Sequence, residues 1–220
     1  CAVTLETLRV LSRSPKPFPH NIIFLFNGAE ENFMQASQGF ITQHRWAKEV
    51  RAFVNLEACG AGGRELLFQG DPRNSWLLKT YSKAVAHPYG SSLSQEFFES
   101  KLFVGDTDYR IFRDFGNASG LDFAWTTNGY VYHTKLDTIE QVPMGSLQRT
   151  GDNIVGLVKA VISRPELGED RSDGSKVVFF DMLGVFMVQY TMGVSDLVNL
   201  VTIAVSLFLL NKNVQTNREF

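Results

Sequence analysis

Residues 21–31 read Asn-Ile-Ile-Phe-Leu-Phe-Asn-Gly-Ala-Glu-Glu, an apolar run that the turn Gly28-Ala29 separates from two adjacent carboxylates. The unbroken apolar run predicts a buried strand over residues 21–27. Ligands collect at the carboxyl ends of strands in open α/β sheets, so Glu30 and Glu31 would lie on a functional edge. Neighbouring side chains in a turn diverge, and one carboxylate can therefore bind a metal while the other holds the metal's water. Such a pair, with one carboxylate on the metal and one on the metal-bound water, is typical of metal-assisted hydrolysis.

Segments with helical and strand periodicity alternate on both sides of this run. The predicted helices cover residues 1–12, 32–44, 76–86, 106–115 and 147–162, and the predicted strands cover residues 21–27, 50–57, 66–68 and 121–125. Strands that alternate with helices indicate βαβ units. We therefore expect an α/β fold with a mostly parallel central sheet covered by helices on both faces.

The composition is that of a folded domain followed by an apolar tail. The 220 residues carry a net charge of −2, with 44% apolar and 20% charged residues, so the chain can bury a sizeable core. No cluster of Lys and Arg occurs in the sequence, which argues against a nucleic-acid partner. The two cysteines, Cys1 and Cys59, exclude a disulfide framework and zinc-finger spacing, while a single bridge between them stays open.

The organisation changes after the last predicted helix of the domain. We expect one domain over residues 1–163, a charged, glycine-bearing linker over residues 164–176, and an apolar segment over residues 177–220. The run 197–210 is too short to span a bilayer unless it extends back to Met192. A buried core helix and a transmembrane helix therefore both stay open for this run.

Two further signals favour a membrane helix with the preceding domain in a lumen. Lys212 and Arg218 follow the apolar run, and positive charge marks the cytosolic side of a membrane helix. Asn117-Ala118-Ser119 is a sequon for N-glycosylation, which is compatible with luminal exposure of Asn117.

Four residues with metal-binding side chains stand at predicted strand ends or in adjacent loops, namely Glu30, Glu31, Glu57 and His133. Carboxylate and imidazole are good ligands for Zn²⁺. Each residue also has a structural explanation. The acid pair can complement the positive end of the following helix, Glu57 can be an exposed carboxylate, and His133 can be a hydrogen-bonded loop histidine. Their shared position at one edge of the sheet favours a metal site.

Three motifs resemble the aminopeptidase Y-like family of co-catalytic zinc metallopeptidases. They are Asn27-Gly28-Ala29-Glu30-Glu31, Asn55-Leu56-Glu57-Ala58-Cys59-Gly60 and Tyr132-His133-Thr134-Lys135-Leu136-Asp137-Thr138, and the segment from Gly105 to Gly116 is similar to the same family. The resemblance covers roughly residues 1–163. It implies a three-layer zinc-exopeptidase-like fold, a peptide or protein substrate, and a location at the endoplasmic reticulum membrane.

The resemblance also implies a role for each matching residue. Glu30 matches the general base that takes a proton from the metal-bound water. Glu31 and His133 match ligands of one zinc, and Glu57 matches a ligand of the second zinc, where many relatives have Asp. Asp106 falls in a loop that borders the site and is a candidate for substrate binding.

The chain departs from the family pattern in one respect. The family's His-x-Asp strand and its bridging aspartate should precede the opening helix, so we interpret the sequence as an N-terminally truncated fragment that lacks part of the two-zinc site. The expected function is an aminopeptidase-type exopeptidase, inactive in this truncated form. Two alternatives stay open, a catalytically dead membrane-anchored scaffold and a glutaminyl cyclase-like transferase on the same fold.

Overall fold

The computed structural model describes residues 1–71, 75–100, 105–168, 174 and 176–216. Its helices and strands are, in chain order, α1 (Ala2–Ser12), α2 (Gln35–Gln43), β1 (Ala52–Ala58), β2 (Gly62–Gly70), α3 (Ser75–Ala84), α4 (Ser92–Glu99), α5 (Asp108–Asp114), β3 (Ser119–Thr127), α6 (Met144–Val161), β4 (Val177–Met182), β5 (Phe186–Thr191) and α7 (Met192–Thr216). Each of the five predicted helices is present, and so are the strands predicted over residues 50–57, 66–68 and 121–125.

The main sheet has the strand order β1-β3-β2. β1 runs parallel to β3, with Ala52 opposite Ser119 and Ala58 opposite Trp125, whereas β2 runs antiparallel to β3. The sheet is therefore mixed, and the expected parallel arrangement holds for one of its two described pairings. The physical reason is the short connection between β1 and β2, because parallel strands need a crossover of about a dozen residues or more.

The prediction of a strand over residues 21–27 is wrong. This run has no assigned secondary structure, and its backbone makes no hydrogen bond to the backbone of any described residue. It lies along one wall of a cavity of about 1150 Å³, and residues 50–57 form another wall. Apolar composition favours burial, but a strand also needs a neighbour to pair with.

Helices cover both faces of the sheet. On one face α1, α3 and α6 pack against a core that includes Leu67, Leu121, Phe123 and Leu157. On the other face α2 and α5 form a smaller cluster, made of Met34, Ile41, Ile111 and Phe112. Side chains of β1 alternate between the two faces: Ala52, Val54 and Leu56 contact the first cluster, and Phe53 contacts the second. This alternation places Asn55 and Glu57 on the α2–α5 side of β1.

The β4–β5 hairpin packs on the preceding domain. Phe179 belongs to the main core, and the Ser92 hydroxyl bonds to both the backbone carbonyl and the backbone N–H of Phe179, at 3.0 and 2.6 Å. Arg64 of β2 lies 3.2 Å from Asp181, which belongs to β4 as Phe179 does. The division predicted after residue 163 stays a prediction, and residues 169–173 and 175 of the proposed linker lie outside the described residues.

α7 is apolar over most of its length, with Asp196 and Lys212 as its charged residues, and its described side chains are exposed or half-exposed. Within the described part of the chain, one helix is long and apolar enough to cross a membrane, over Met192–Gln215. Its most apolar 18 residues have a mean hydropathy of 2.0, and none of them is buried. Its 24 residues correspond to about 36 Å of helix, enough for a hydrocarbon core of ~30 Å. The absence of burial argues against the alternative of a core helix.

Candidate active site

Glu30 and Glu31 lie in a tight turn and not in the first turn of a helix. Backbone φ angles are positive at Ala29 (57°), Phe33 (62°) and Met34 (56°), and α2 begins only at Gln35. A non-glycine residue in the left-handed region costs on the order of 1–3 kcal/mol, and such residues cluster at functional sites. The explanation of the acid pair as a helix-capping feature therefore does not apply here.

The structure brings Glu31 and His133 into direct contact. The His133 Nε2 lies 2.6 Å from the Glu31 Oε1, although the two residues are far apart in the chain. Their side chains are 57% and 66% exposed, so solvent and a ligand can both reach them. His133 also has a left-handed backbone (φ 57°), and its ring stacks on Tyr132 at 3.8 Å. The two residues predicted to bind one zinc are thus neighbours.

Glu57 lies at the end of β1 with a partly buried carboxylate. Its Oε1 accepts a hydrogen bond from the Asn55 Nδ2 at 2.9 Å, and its carboxylate also bonds to the backbone of Asp108. The pKa of Glu57 is raised to about 7, mainly by burial; the hydrogen bonds to the carboxylate oppose this rise, and the nearby charges of Glu30 and Asp108 add to it. Glu57 can therefore exchange a proton near neutral pH.

Glu30 is electrostatically coupled to the other candidate residues. Partial burial raises the pKa of Glu30, the charges of Glu31 and Asp108 raise it further, and His133 lowers it. A carboxylate whose proton affinity is increased in this way is better suited to accept and pass on a proton than a free carboxylate. Glu30 thus interacts electrostatically with both the Glu31–His133 pair and the Glu57–Asp108 pair.

Asp108 is a site residue that the sequence did not single out. It begins α5 and is buried, and its Oδ2 accepts a hydrogen bond from the Asn27 Nδ2 at 2.7 Å. Its Oδ1 is buried with no hydrogen-bond partner among the described residues. The available signal was its position two residues after Asp106, within the segment that carries the family resemblance.

Two predicted residues stand apart from this group. Asp106 is exposed and pairs with Arg110 of α5 at 2.5 Å, while partial burial of its carboxyl raises its pKa. Asn117 is exposed in the turn before β3, with a φ of 48°. The roles of Asp106 in substrate binding and of Asn117 in glycosylation stay predictions. Cys1 and Cys59 are both free thiols.

The candidate residues have the right chemistry for zinc but do not complete a site. In the described ranges, no group of three or more His, Cys, Asp or Glu side chains is placed to hold a metal ion. Glu31 and His133 supply one pair of donors, and Glu57 is held separately by Asn55. A catalytic zinc needs three protein ligands on one ion. The described residues therefore do not fit a complete zinc centre.

Comparison with known proteins gives the family. The sequence profile of peptidase family M28 matches residues 1–158. The chain belongs to peptidase family M28. This M28 chain is 50% identical over 212 residues to endoplasmic reticulum metallopeptidase 1 of Mus musculus and 48% identical over 217 residues to the protein of the same name in Homo sapiens. A putative endoplasmic reticulum metallopeptidase 1 of Schizosaccharomyces pombe is 38% identical over 198 residues.

The M28 chain spans about a quarter of the length of these relatives. The mouse and human alignments cover 95% and 98% of this chain but 24% of each relative. The prediction of a piece of a longer metallopeptidase is therefore confirmed, as is the predicted resemblance to the zinc exopeptidase family.

Solved structures confirm the fold class. The zinc aminopeptidase BSAP from Bacillus subtilis superposes with a TM-score of 0.55 and 20% identity, covering 72% of this chain and 40% of that structure. An aminopeptidase from Aneurinibacillus sp. strain AM-1 gives a TM-score of 0.53 and 19% identity, over 71% of this chain and 36% of that structure. At this level of identity the likeness concerns the fold alone.

Proposed function

We propose that this M28 chain is part of a zinc-dependent exopeptidase of the aminopeptidase type, which hydrolyses peptide bonds in the lumen of the endoplasmic reticulum. Membership of peptidase family M28 and the names of the mammalian relatives support a metallopeptidase at that membrane. The observation that carries the proposal is the contact between Glu31 and His133 beside Glu30, because it assembles three predicted site residues from separate parts of the chain.

In this proposal each site residue has a separate role in catalysis or metal binding. Glu30 acts as general base, since its raised pKa allows it to keep a proton and pass it to the leaving amine. Glu31 and His133 are donors to one zinc ion, and Glu57 is a donor to a second. Bound zinc would polarise the scissile carbonyl and lower the pKa of a water. The described donors are incomplete, so we propose that the 220-residue chain is inactive by itself and that the family's His-x-Asp strand supplies the rest.

Substitution of Glu30 tests the mechanism. In the longer protein that contains this sequence, we expect Glu30→Gln to lower kcat for an aminoacyl-peptide substrate by about 10²–10⁴, the usual contribution of general acid–base catalysis. Glu6→Gln on the exposed face of α1 is the matched control and should leave kcat unchanged. Activity of Glu30→Gln within about tenfold of the parent would remove Glu30 from the mechanism.

Luminal placement of the domain can be tested through Asn117. If the domain lies in the lumen, Asn117 in its sequon can receive a glycan, and a glycosidase should then increase the electrophoretic mobility of the protein. Asn117→Gln should abolish this shift. A protein made in cells that is unglycosylated and sensitive to cytosolic protease would contradict the luminal orientation.

A further inference from the structure

A second buried carboxylate lies directly behind the candidate site. Asp122, in the middle of β3, is fully buried. Its Oδ1 accepts a hydrogen bond from the Asn55 Nδ2 at 2.9 Å, and its Oδ2 accepts hydrogen bonds from the Gln69 Nε2 at 3.3 Å and from the Thr107 hydroxyl. None of these three partners carries a charge. A buried carboxylate with only neutral partners is costly, which indicates a role beyond filling the core.

Two of the three hydrogen-bond partners of Asp122 are themselves connected to residues of the candidate site. Asn55 also donates a hydrogen bond to the Glu57 Oε1, so one side-chain amide connects Asp122 to Glu57. Thr107 immediately precedes Asp108, whose backbone bonds to the Glu57 carboxylate. Thr107 is also the residue before the first turn of α5, yet its hydroxyl makes no capping hydrogen bond and is instead directed to Asp122.

We propose that Asp122 is a positioning residue for Glu57. It orients the Asn55 amide, which holds one oxygen of the Glu57 carboxylate, and it fixes Thr107, which places the start of α5 against the same carboxylate. Asp122 thus joins β1, β3 and α5 at the point where the candidate site is built. This inference rests on the proposed function only in treating Glu57 as a metal ligand.

The chain offers a matched control in Glu65. This residue of β2 is buried to the same degree and accepts hydrogen bonds from the Thr150 hydroxyl at 3.0 Å and from the Asn153 amide. Both of these partners lie on α6, so Glu65 joins the sheet to the opposite helix layer. Glu65 also lies 3.6 Å from Arg149 of the same helix, so Glu65→Gln should disturb the core at least as much as Asp122→Asn does, without altering the surroundings of Glu57.

The decisive measurement is the ¹³C NMR signal of the Glu57 carboxyl carbon at one fixed pH. The 220-residue chain, labelled in its glutamates and held in detergent micelles, is compared with Asp122→Asn, Asn55→Ala and Glu65→Gln. We expect the Glu57 signal to move in Asp122→Asn and in Asn55→Ala and to stay in place in Glu65→Gln. An unmoved signal in Asp122→Asn, or an equal movement in all three variants, would overturn the inference.

Two additions keep the test decisive. If Asp122→Asn does not fold, Thr107→Val removes one of the hydrogen bonds to Asp122 and is judged by the same Glu57 signal. In the longer protein, Asp122→Asn should weaken Zn²⁺ binding by about 10- to 100-fold, the usual effect of losing a partner behind a metal ligand, whereas Glu65→Gln should not. A parent protein that binds no Zn²⁺ would refute the proposed function, while the Glu57 signal would still decide the role of Asp122.

Discussion

At the scale of the residue, the four carboxylates of Glu30, Glu31, Glu57 and Asp108 interact electrostatically, and Glu31 also contacts His133. Glu57 is surrounded by the charges of Glu30 and Asp108, and each of these charges raises the pKa of Glu57. Glu30 is affected in the same way by Glu31 and Asp108. Such a group of acids favours either bound protons or a bound cation. The acidity of the site is thus a property of the folded chain that no single residue has by itself.

This acidity makes the stability of the metal-free protein depend on pH. The folded-state pKa of Glu57 is about 7 against an ordinary value of 4.5, so the native protein binds this proton more tightly than the unfolded chain does. Stability from this group is therefore present below pH 4.5 and is lost as the pH rises through about 7, by on the order of 3 kcal/mol. Glu57→Gln should lose much less stability over the same range.

Denaturant unfolding of the chelator-treated chain on either side of this pH window measures the effect. Glu140→Gln, a change to a fully exposed carboxylate, is the control and should keep the pH dependence of the parent. If Glu57→Gln and the parent lose the same free energy of unfolding as the pH rises, protonation of Glu57 is not the cause of the pH dependence.

Residue types and motif order were enough to predict part of this site. The sequence predicted that Glu30, Glu31 and His133 would come together, and the structure shows Glu31 and His133 in contact. It did not indicate whether Asp106 or Asp108 points inward, because the two residues stand on either side of the start of α5. The helix begins at Asp108, which is buried, and leaves Asp106 outside it and exposed.

At the scale of the element, Asp181 makes polar contacts both within the β4–β5 hairpin and between the hairpin and the domain. Its carboxylate accepts hydrogen bonds from the Gly184 N–H at 2.7 Å and the Gly90 N–H at 3.3 Å, and it lies 3.2 Å from an Arg64 nitrogen. The turn that follows has positive φ angles at Leu183 (54°) and Gly184 (71°). The apolar sequence of this region did not predict the hairpin, because the groups that Asp181 contacts in the domain, the Gly90 N–H and Arg64, are distant in the sequence.

Removal of the Asp181 carboxylate should loosen the hairpin. We expect Asp181→Ala to lower the free energy of unfolding by about 1–3 kcal/mol, since two backbone N–H groups lose their partner. Amide hydrogen exchange across β4 and β5 should become faster. Lys176→Ala, which removes an exposed ion pair with Glu99 on the same hairpin, should change stability by less than about 1 kcal/mol. Unchanged exchange in Asp181→Ala would show that apolar packing of Phe179 alone holds the hairpin.

The segment 21–27 shows why one strand could not be predicted correctly. Its composition is that of a buried strand, but pairing depends on which backbone lies beside it, and the cavity separates it from β1. β1 therefore has one partner strand, β3, among the described residues, whereas β3 lies between two strands. Composition is a local property, while strand order is set by the whole sheet.

This open edge predicts an alternating pattern of hydrogen exchange in the 220-residue chain. In a parallel pair, alternate residues direct their N–H groups to the partner. Alternate amides of β1 should therefore exchange slowly, and those facing the cavity should exchange quickly. Amides of β3 provide the internal control and should be slow throughout. Uniformly slow exchange along β1 would mean that its second edge is also paired.

At the scale of the whole molecule, the hairpin sets how the domain and α7 are joined. Asp181 of the hairpin lies 3.2 Å from Arg64, which is near the beginning of β2. The beginning of β2 lies beside the carboxyl end of β3, because Gly62 pairs with Thr127. The tip of the hairpin therefore lies at the same edge of the sheet as the candidate site. β5 then runs back for six residues, about 20 Å, before α7 begins at the next residue. The candidate site and the start of α7 thus lie at opposite ends of the hairpin.

The proposal that α7 is a membrane helix predicts how charges placed along it change its membrane insertion. In microsomes the parent chain should resist extraction by alkaline carbonate, because the helix is 24 residues long and its most apolar 18 residues have a mean hydropathy of 2.0. Ile203→Arg with Leu207→Arg places two charges near its centre, each at a cost of about 2.5–3.5 kcal/mol of insertion free energy, and should release the chain. Asn213→Arg with Val214→Arg is the matched control, since arginines near a helix end reach the interface and should leave the chain in the membrane. Release of the parent itself by carbonate would show that α7 does not span the bilayer, and the domain would then need another means of attachment.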